Sequence, residues 1–131
     1  MTTEPRASFD IRRRLRSFVY AFEGWWFVLR TQHNAWIHAA VSVFVFALAF
    51  WLKLNRLEWS ILILTTMVVW MAEFFNTALE AVVDVAAPEL HPLAKVAKDV
   101  AAAAVLVGAI GAVVIGLLVM GPALWARVIS D

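Results

Sequence analysis

Apolar side chains recur at Ile11, Leu15, Phe18, Phe22, Trp26 and Leu29, while Arg12, Arg13, Arg16 and Glu23 fall on other faces. Spacings of three and four predict an amphipathic helix over residues 8–30. An arginine face opposite an aromatic and aliphatic face suits a helix lying in the lipid headgroup layer. Beyond it the pattern becomes apolar on all sides. Residues 35–52 carry no formally charged side chain, and at 1.5 Å per residue they cover about 27 Å, enough to cross the hydrocarbon. Lys53, Asn55, Arg56 and Glu58 form a polar turn, and Trp59 restarts an apolar run that predicts a second helix over 59–87, ended by Pro88 and Pro92. A third helix is expected over 94–120, with an uncharged stretch from Val100 to Met120. The fold class is therefore all-α integral membrane: three transmembrane helices plus an N-terminal surface helix, in a single domain over residues 1–131.

Composition agrees, since 63% of the 131 residues are hydrophobic and mean hydropathy is +0.81. A formal net charge of only +1 gives no basic surface for phosphate neutralisation, so nucleic acid is not an expected partner. The absence of cysteine removes disulfides, thiolate metal sites and cysteine nucleophiles. Glu23 interrupts the apolar stretch after the arginines and no small-residue cleavage site follows, so the first segment is expected to be retained. Arg6, Arg12, Arg13, Arg14, Arg16 and Arg30 precede the first span, whereas Lys53 and Arg56 lie in the first connection. The positive-inside rule then predicts a cytoplasmic N-terminus and an outer C-terminus, with the end of the second helix facing the cytoplasm. Ala104, Gly108, Ala112 and Gly116 repeat every four residues, a face suited to close helix packing. Six of the tryptophans, at 25, 26, 36, 51, 59 and 125, read as interfacial anchors, and Trp70 as packing.

The chemistry concentrates on the second helix. Glu73, Asn76, Glu80 and Asp84 are spaced three, four and four, so they share one stripe. Glu73 and Asn76 fall at hydrocarbon depth, with Glu80 and Asp84 nearer the headgroups, and intramembrane acids default to function. A single three-helix unit is expected to leave part of this stripe or the small-residue face uncovered, which points to self-assembly. His91, Lys95, Lys98 and Asp99 share a flank just beyond the turn, bringing cations to the end of the stripe. Carboxylates can hold Mg²⁺ or accept a proton, and a lysine can neutralise phosphate, so these parts suffice for phosphoryl transfer. No Walker or kinase glycine-rich signature is present, which excludes a soluble-type kinase fold. His33, His38 and His91 lack helical ligand spacing and are read as polar or interfacial residues.

The strings E-F-F-N-T-A-L-E-A-V-V-D at 73–84 and H-P-L-A-K-V-A-K-D-V-A-A-A-A-V at 91–105 resemble the small bacterial diacylglycerol kinase and undecaprenol kinase family. A-F-E-G at 21–24 and N-A-W-I-H at 34–38 extend the resemblance over nearly the whole chain. The resemblance implies a homotrimer in the bacterial inner membrane, with active sites shared between protomers, that phosphorylates a membrane lipid alcohol with MgATP. It further implies Glu73 as general base, Asn76 as its positioning partner and Glu80 as a metal ligand. Lys98 would hold the transferred phosphate, Asp99 would contact the nucleotide, Asp84 would support them, and Arg13 and Arg16 would lie near the nucleotide. One departure stands out. Where the family commonly has a metal-binding glutamate two residues before the asparagine, this chain has Gln32. Glu23, half a turn round a continuous helix, cannot simply replace it. Undecaprenol is the favoured acceptor, from T-Q-H-N-A-W-I-H, H-P-L-A-K-V-A-K-D and Ala21, with diacylglycerol the alternative. The competing expectation is a non-catalytic membrane subunit, a degenerate homologue whose metal site is lost at Gln32.

Overall fold

The computed structural model describes residues 11–89 and 91–130. These form four helices and, among the described residues, no strand: α1 (Ile11–Thr31), α2 (His33–Trp51), α3 (Arg56–Ala86) and α4 (Pro92–Ser130). The expected surface helix is α1, with residues 8–10 of its predicted range outside the described part. The other three are the helices long and apolar enough to cross a membrane.

Gln32 alone separates α1 from α2, in an extended conformation (φ −102°, ψ 116°), and its side chain makes no capping bond to α2. Around this break Val28, Ala35 and Trp70 form a small buried cluster with Leu29, Ala39 and Phe74 against it. At the other end of α2, Lys53 adopts a left-handed conformation (φ 55°), and its N–H donates to Phe50 O. Such a conformation costs a side-chain-bearing residue about 1 kcal/mol, offset here by satisfying carbonyls of the last helical turn.

The second span starts earlier than Trp59, the expected first residue. Asn55 Oδ1 accepts from the Leu57 and Glu58 N–H groups, and Glu58 Oε2 accepts from Asn55 N–H at 2.7 Å. This reciprocal box satisfies donors otherwise orphaned at a helix start, and draws Arg56 and Glu58 out of the expected polar turn into the first turn of α3. α3 ends at Ala86, before Pro88. Pro92 does not terminate that helix but opens the next, where a missing N–H is harmless; the His91 ring Nδ1 accepts from Leu93 N–H.

The largest correction is the end of α4. Helix was expected to stop near Met120, yet it continues through Pro122 to Ser130. Apolar Ala123, Leu124 and Trp125 extend its periodicity past the proline, and the tail stays against α2, with the Arg127 guanidinium 5.2 Å from the Trp51 ring centre. Arg127 thus shares an end of the bundle with Trp51, at the start of the Lys53 turn, while Lys98 and Asp84 meet at the opposite end.

α3 and α4 make the most extensive pairing. A Cβ placed on Gly108 would sit 4.0 Å from Val69 of α3, so part of the small-residue face is used within the chain. The distribution of polarity is the reverse of a water-soluble protein. Phe44, Phe50, Val107 and Leu118 point outward, while Glu73, Asn76 and Thr77 are buried. In a bilayer the apolar exterior is solvated by lipid tails, and polar groups must find their partners inside.

Candidate active site

The acidic stripe follows one face of α3, and its environment changes with depth. Deepest is Glu73, with no exposed surface. This end of the stripe is enclosed within one chain. Trp25 of α1 packs on α3 nearby: its ring stacks on Trp70 (4.8 Å between centres) and meets Phe74 at 5.1 Å. Trp25 therefore packs one ring face on α3 while staying exposed on the other side. Trp70 was expected as packing and is, with its indole N–H donating to Ser42 Oγ on α2.

Neither carboxylate oxygen of Glu73 has a hydrogen-bond partner. The group facing it is His38 of α2, whose Nε2 stands 3.6 Å from Glu73 Oε2 and is likewise buried and unpartnered. His38 was read from sequence as an ordinary polar residue, so its place against the acid is a finding of the fold. The signal that could have found it is the rule already applied to the acids: a polar residue within a spanning helix is there for a reason.

One turn along, Asn76 Nδ2 donates to Glu80 Oε1 (3.2 Å), and its buried Oδ1 is left unpartnered. Gln32, freed from capping duty at the α1–α2 break, donates through Nε2 to Glu80 Oε2 (3.2 Å). Glu80 therefore carries one amide on each carboxylate oxygen, and Gln32 stands beside the expected metal ligand. These residues and His38 line a cavity of about 280 Å³, closed on the α4 side by Ala102, Val105, Leu106 and Ala109. A second, larger and mainly apolar cavity of about 490 Å³ runs along α2, α3 and α4, and shares Ile37, His38 and Ala109 with the first.

Further out, Asp84 pairs with Lys98 across the α3–α4 turn, and Lys95 Nζ donates to Asp99 Oδ2 at 2.5 Å along α4. Both pairs are largely exposed. The structure thus gathers Gln32, Asn76 and Glu80 around one cavity, with Glu73 facing His38, and sets Lys98, Asp84 and Asp99 outside its lining, on the exposed turns of α3 and α4 that follow. Arg13 and Arg16 lie exposed on α1 and are not among the cavity-lining residues; Glu23 is exposed as well.

Among the described residues no group of three or more His, Cys, Asp or Glu is placed to hold a metal by itself. The donors present nevertheless fit Mg²⁺, which binds through one or two carboxylates plus substrate phosphates rather than in an all-protein cage. Glu80 supplies the carboxylate, and Gln32 could turn its amide oxygen to the same place.

A sequence profile described as "Prokaryotic diacylglycerol kinase" matches residues 19–120. The undecaprenol kinase of Bacillus subtilis is 41% identical over 115 residues, covering 88% of this chain and 94% of its own length. A diacylglycerol kinase of Synechocystis is 43% identical over 111 residues, covering 84% of this chain but 63% of that protein. The diacylglycerol kinase of Helicobacter pylori strain 26695 is 32% identical over 111 residues, covering 79% of this chain and 87% of that protein.

Proposed function

The chain belongs to the prokaryotic diacylglycerol kinase family, and from that premise we propose that this membrane lipid kinase transfers the γ-phosphoryl group of ATP to the hydroxyl of a membrane lipid alcohol, with undecaprenol as acceptor. The observation carrying this reading is the stripe from Glu73 to Asp84, which joins an unpartnered buried carboxylate to a polar cavity and then to a cationic rim.

In this reading Glu73 takes the proton of the lipid hydroxyl as the oxygen attacks the γ-phosphorus, and ADP leaves with the electrons of the broken P–O bond. Asn76 orients the reacting groups. Glu80, with Gln32, would hold Mg²⁺, which when bound offsets phosphate charge. Lys98, released from Asp84, neutralises the transferred phosphoryl group, and Asp84 holds the lysine at the rim in the meantime. Asp99, Arg13 and Arg16 complete the nucleotide contacts.

The favoured acceptor rests on the local resemblance around Gln32 to His38 and on the near full-length similarity to an undecaprenol kinase. Assembly as a homotrimer with shared sites would cover the outward apolar faces and bring further side chains to the cavity. The arginine bias supports a topology with α1 and the cavity at the cytoplasmic side of the bacterial inner membrane and the C-terminus outside.

The test is ATP consumption by purified protein in vesicles carrying undecaprenol, diacylglycerol or neither. Undecaprenol is expected to give the highest kcat/KM. A faster reaction with diacylglycerol would reverse the substrate assignment. No lipid-dependent consumption with either would favour the non-catalytic reading, for which the amide-saturated Glu80 is the structural argument.

A further inference from the structure

Among the described residues, His38 is the one side chain that both lines the polar cavity and the apolar cavity and faces Glu73. Ser42 and Trp70 flank it. The backbone carbonyl of His38 accepts from Ser42 Oγ at 2.7 Å, and Ser42 in turn accepts from the Trp70 indole. The ring lies edge-on to Trp70, 6.2 Å between centres. A half-buried histidine whose enclosed Nε2 stands beside a carboxylate with no donor leaves both groups unsatisfied at 3.6 Å. An orphaned polar pair of this kind is costly, and a small ring rotation lowers that cost by forming one hydrogen bond between the two groups.

We infer that His38 is a positioning residue for the phosphoryl transfer: its Nε2–H donates to Glu73 Oε2 and turns Oε1 toward the incoming lipid hydroxyl. The inference rests on Glu73 being the base. The atoms balance without a proton leaving His38: the hydroxyl proton passes to Oε1, the hydroxyl oxygen bonds the γ-phosphorus, and ADP departs. His38 changes no charge and forms no covalent bond. Its position between the two cavities suits this task, because a lipid alcohol has its chain in apolar surroundings and its hydroxyl at the polar junction, where the acceptor oxygen must be aimed. A carboxylate left to rotate would present an oxygen in the attack geometry for a smaller share of encounters, and misplacement on the 1 Å scale costs about 10²-fold in rate.

The experiment compares His38→Leu, His38→Asn and His38→Gln in the purified full-length protein, with Glu73→Gln alongside and helical content checked by circular dichroism. Leu fills the space without a donor, Asn carries a donor too short to reach Glu73, and Gln carries one of suitable reach. His38→Leu and His38→Asn should each lower kcat about 10²-fold with KM for ATP and lipid changed less than about threefold, and His38→Gln should recover at least about tenfold of that loss. Should the leucine variant not fold, the Asn and Gln pair makes the same comparison. A kcat near wild type for His38→Asn, an equal loss in Asn and Gln, or a loss confined to KM would overturn the inference. If Glu73→Gln is inactive while these variants behave in that way, only the role of His38 fails; if Glu73→Gln turns over normally, the base assignment fails first.

Discussion

The two ends of the α3 stripe carry the same kind of side chain in opposite conditions. Glu73 is shut inside the bundle, both oxygens unpartnered, with one histidine nearby. Asp84, three turns on, is 65% exposed and paired with Lys98. An exposed ion pair contributes about 0–1 kcal/mol, because water already solvates both charges and salt screens them. It can therefore open for a phosphate at little cost. A carboxylate enclosed without donors is the costly arrangement, and proteins keep it where a substrate proton is to be taken. In the proposed reaction the stripe is graded, from a base at its dry end to an exchangeable cation clamp at its wet end, with Glu80 and its two amides between them.

Breaking the dry end should have the largest effect. Glu73→Gln keeps size and hydrogen-bonding capacity but removes the proton acceptor, so turnover should fall by about 10³-fold or more while the helical signal and detergent-solubilised size stay unchanged. Turnover within tenfold of wild type would move the base elsewhere.

The middle of the stripe comes next. Glu80→Gln leaves an all-amide cluster with Gln32 and Asn76, and should raise the Mg²⁺ concentration for half-maximal activity by about tenfold or more; Gln32→Glu should lower it by a few-fold, since a second carboxylate helps offset the ion's dehydration. Titration of Mg²⁺ at saturating ATP and lipid reads both, and coincident curves for wild type and Gln32→Glu would place Gln32 outside the metal site.

The wet end should respond least. Lys98→Met should reduce kcat/KM by about tenfold through lost phosphate neutralisation, whereas Lys95→Met, which breaks only a pair along α4, should stay within about threefold. Equal losses in steady-state assays would mean the phosphate contact has been assigned to the wrong lysine.

Most of this gradient was legible from spacing alone, because side chains three and four apart on a helix must share a face whatever surrounds it. The three spans were legible for a similar reason, since uncharged runs of that length have few other uses. The Asn55 box was written in the sequence as Asn-x-x-Glu but was passed over in favour of the apolar run that begins at Trp59. What spacing could not supply was anything depending on how one helix lies on another. His38 meets Glu73 only because α2 packs on α3 in one register, and Trp25 meets Trp70 only because the chain breaks at Gln32. Helix past Pro122 lay beyond the uncharged run to Met120 that set the expected end, and the apolar continuation and the contact of Arg127 with Trp51 carry it on. The pairing of Gln32 with Glu80 lay between: resemblance put them at one site, and the fold brought them into contact.

The outward-facing apolar surface has a consequence for how this chain comes apart. Its buried apolar set is small, mainly Val28, Ala35, Ala49, Leu52, Leu62, Val69, Trp70 and Val105, and much of the remaining apolar surface faces outward in the folded chain. Helices that separate within a bilayer exchange side-chain contacts for lipid contacts and expose little new apolar area to water. The heat-capacity increment that bends the stability curve of a soluble domain comes from that hydration, so it should nearly vanish here. The stability of the separated-versus-packed equilibrium then runs close to a straight line in temperature, with no cold-denaturation arm, and is governed by close packing and by the few polar contacts at the centre of the bundle.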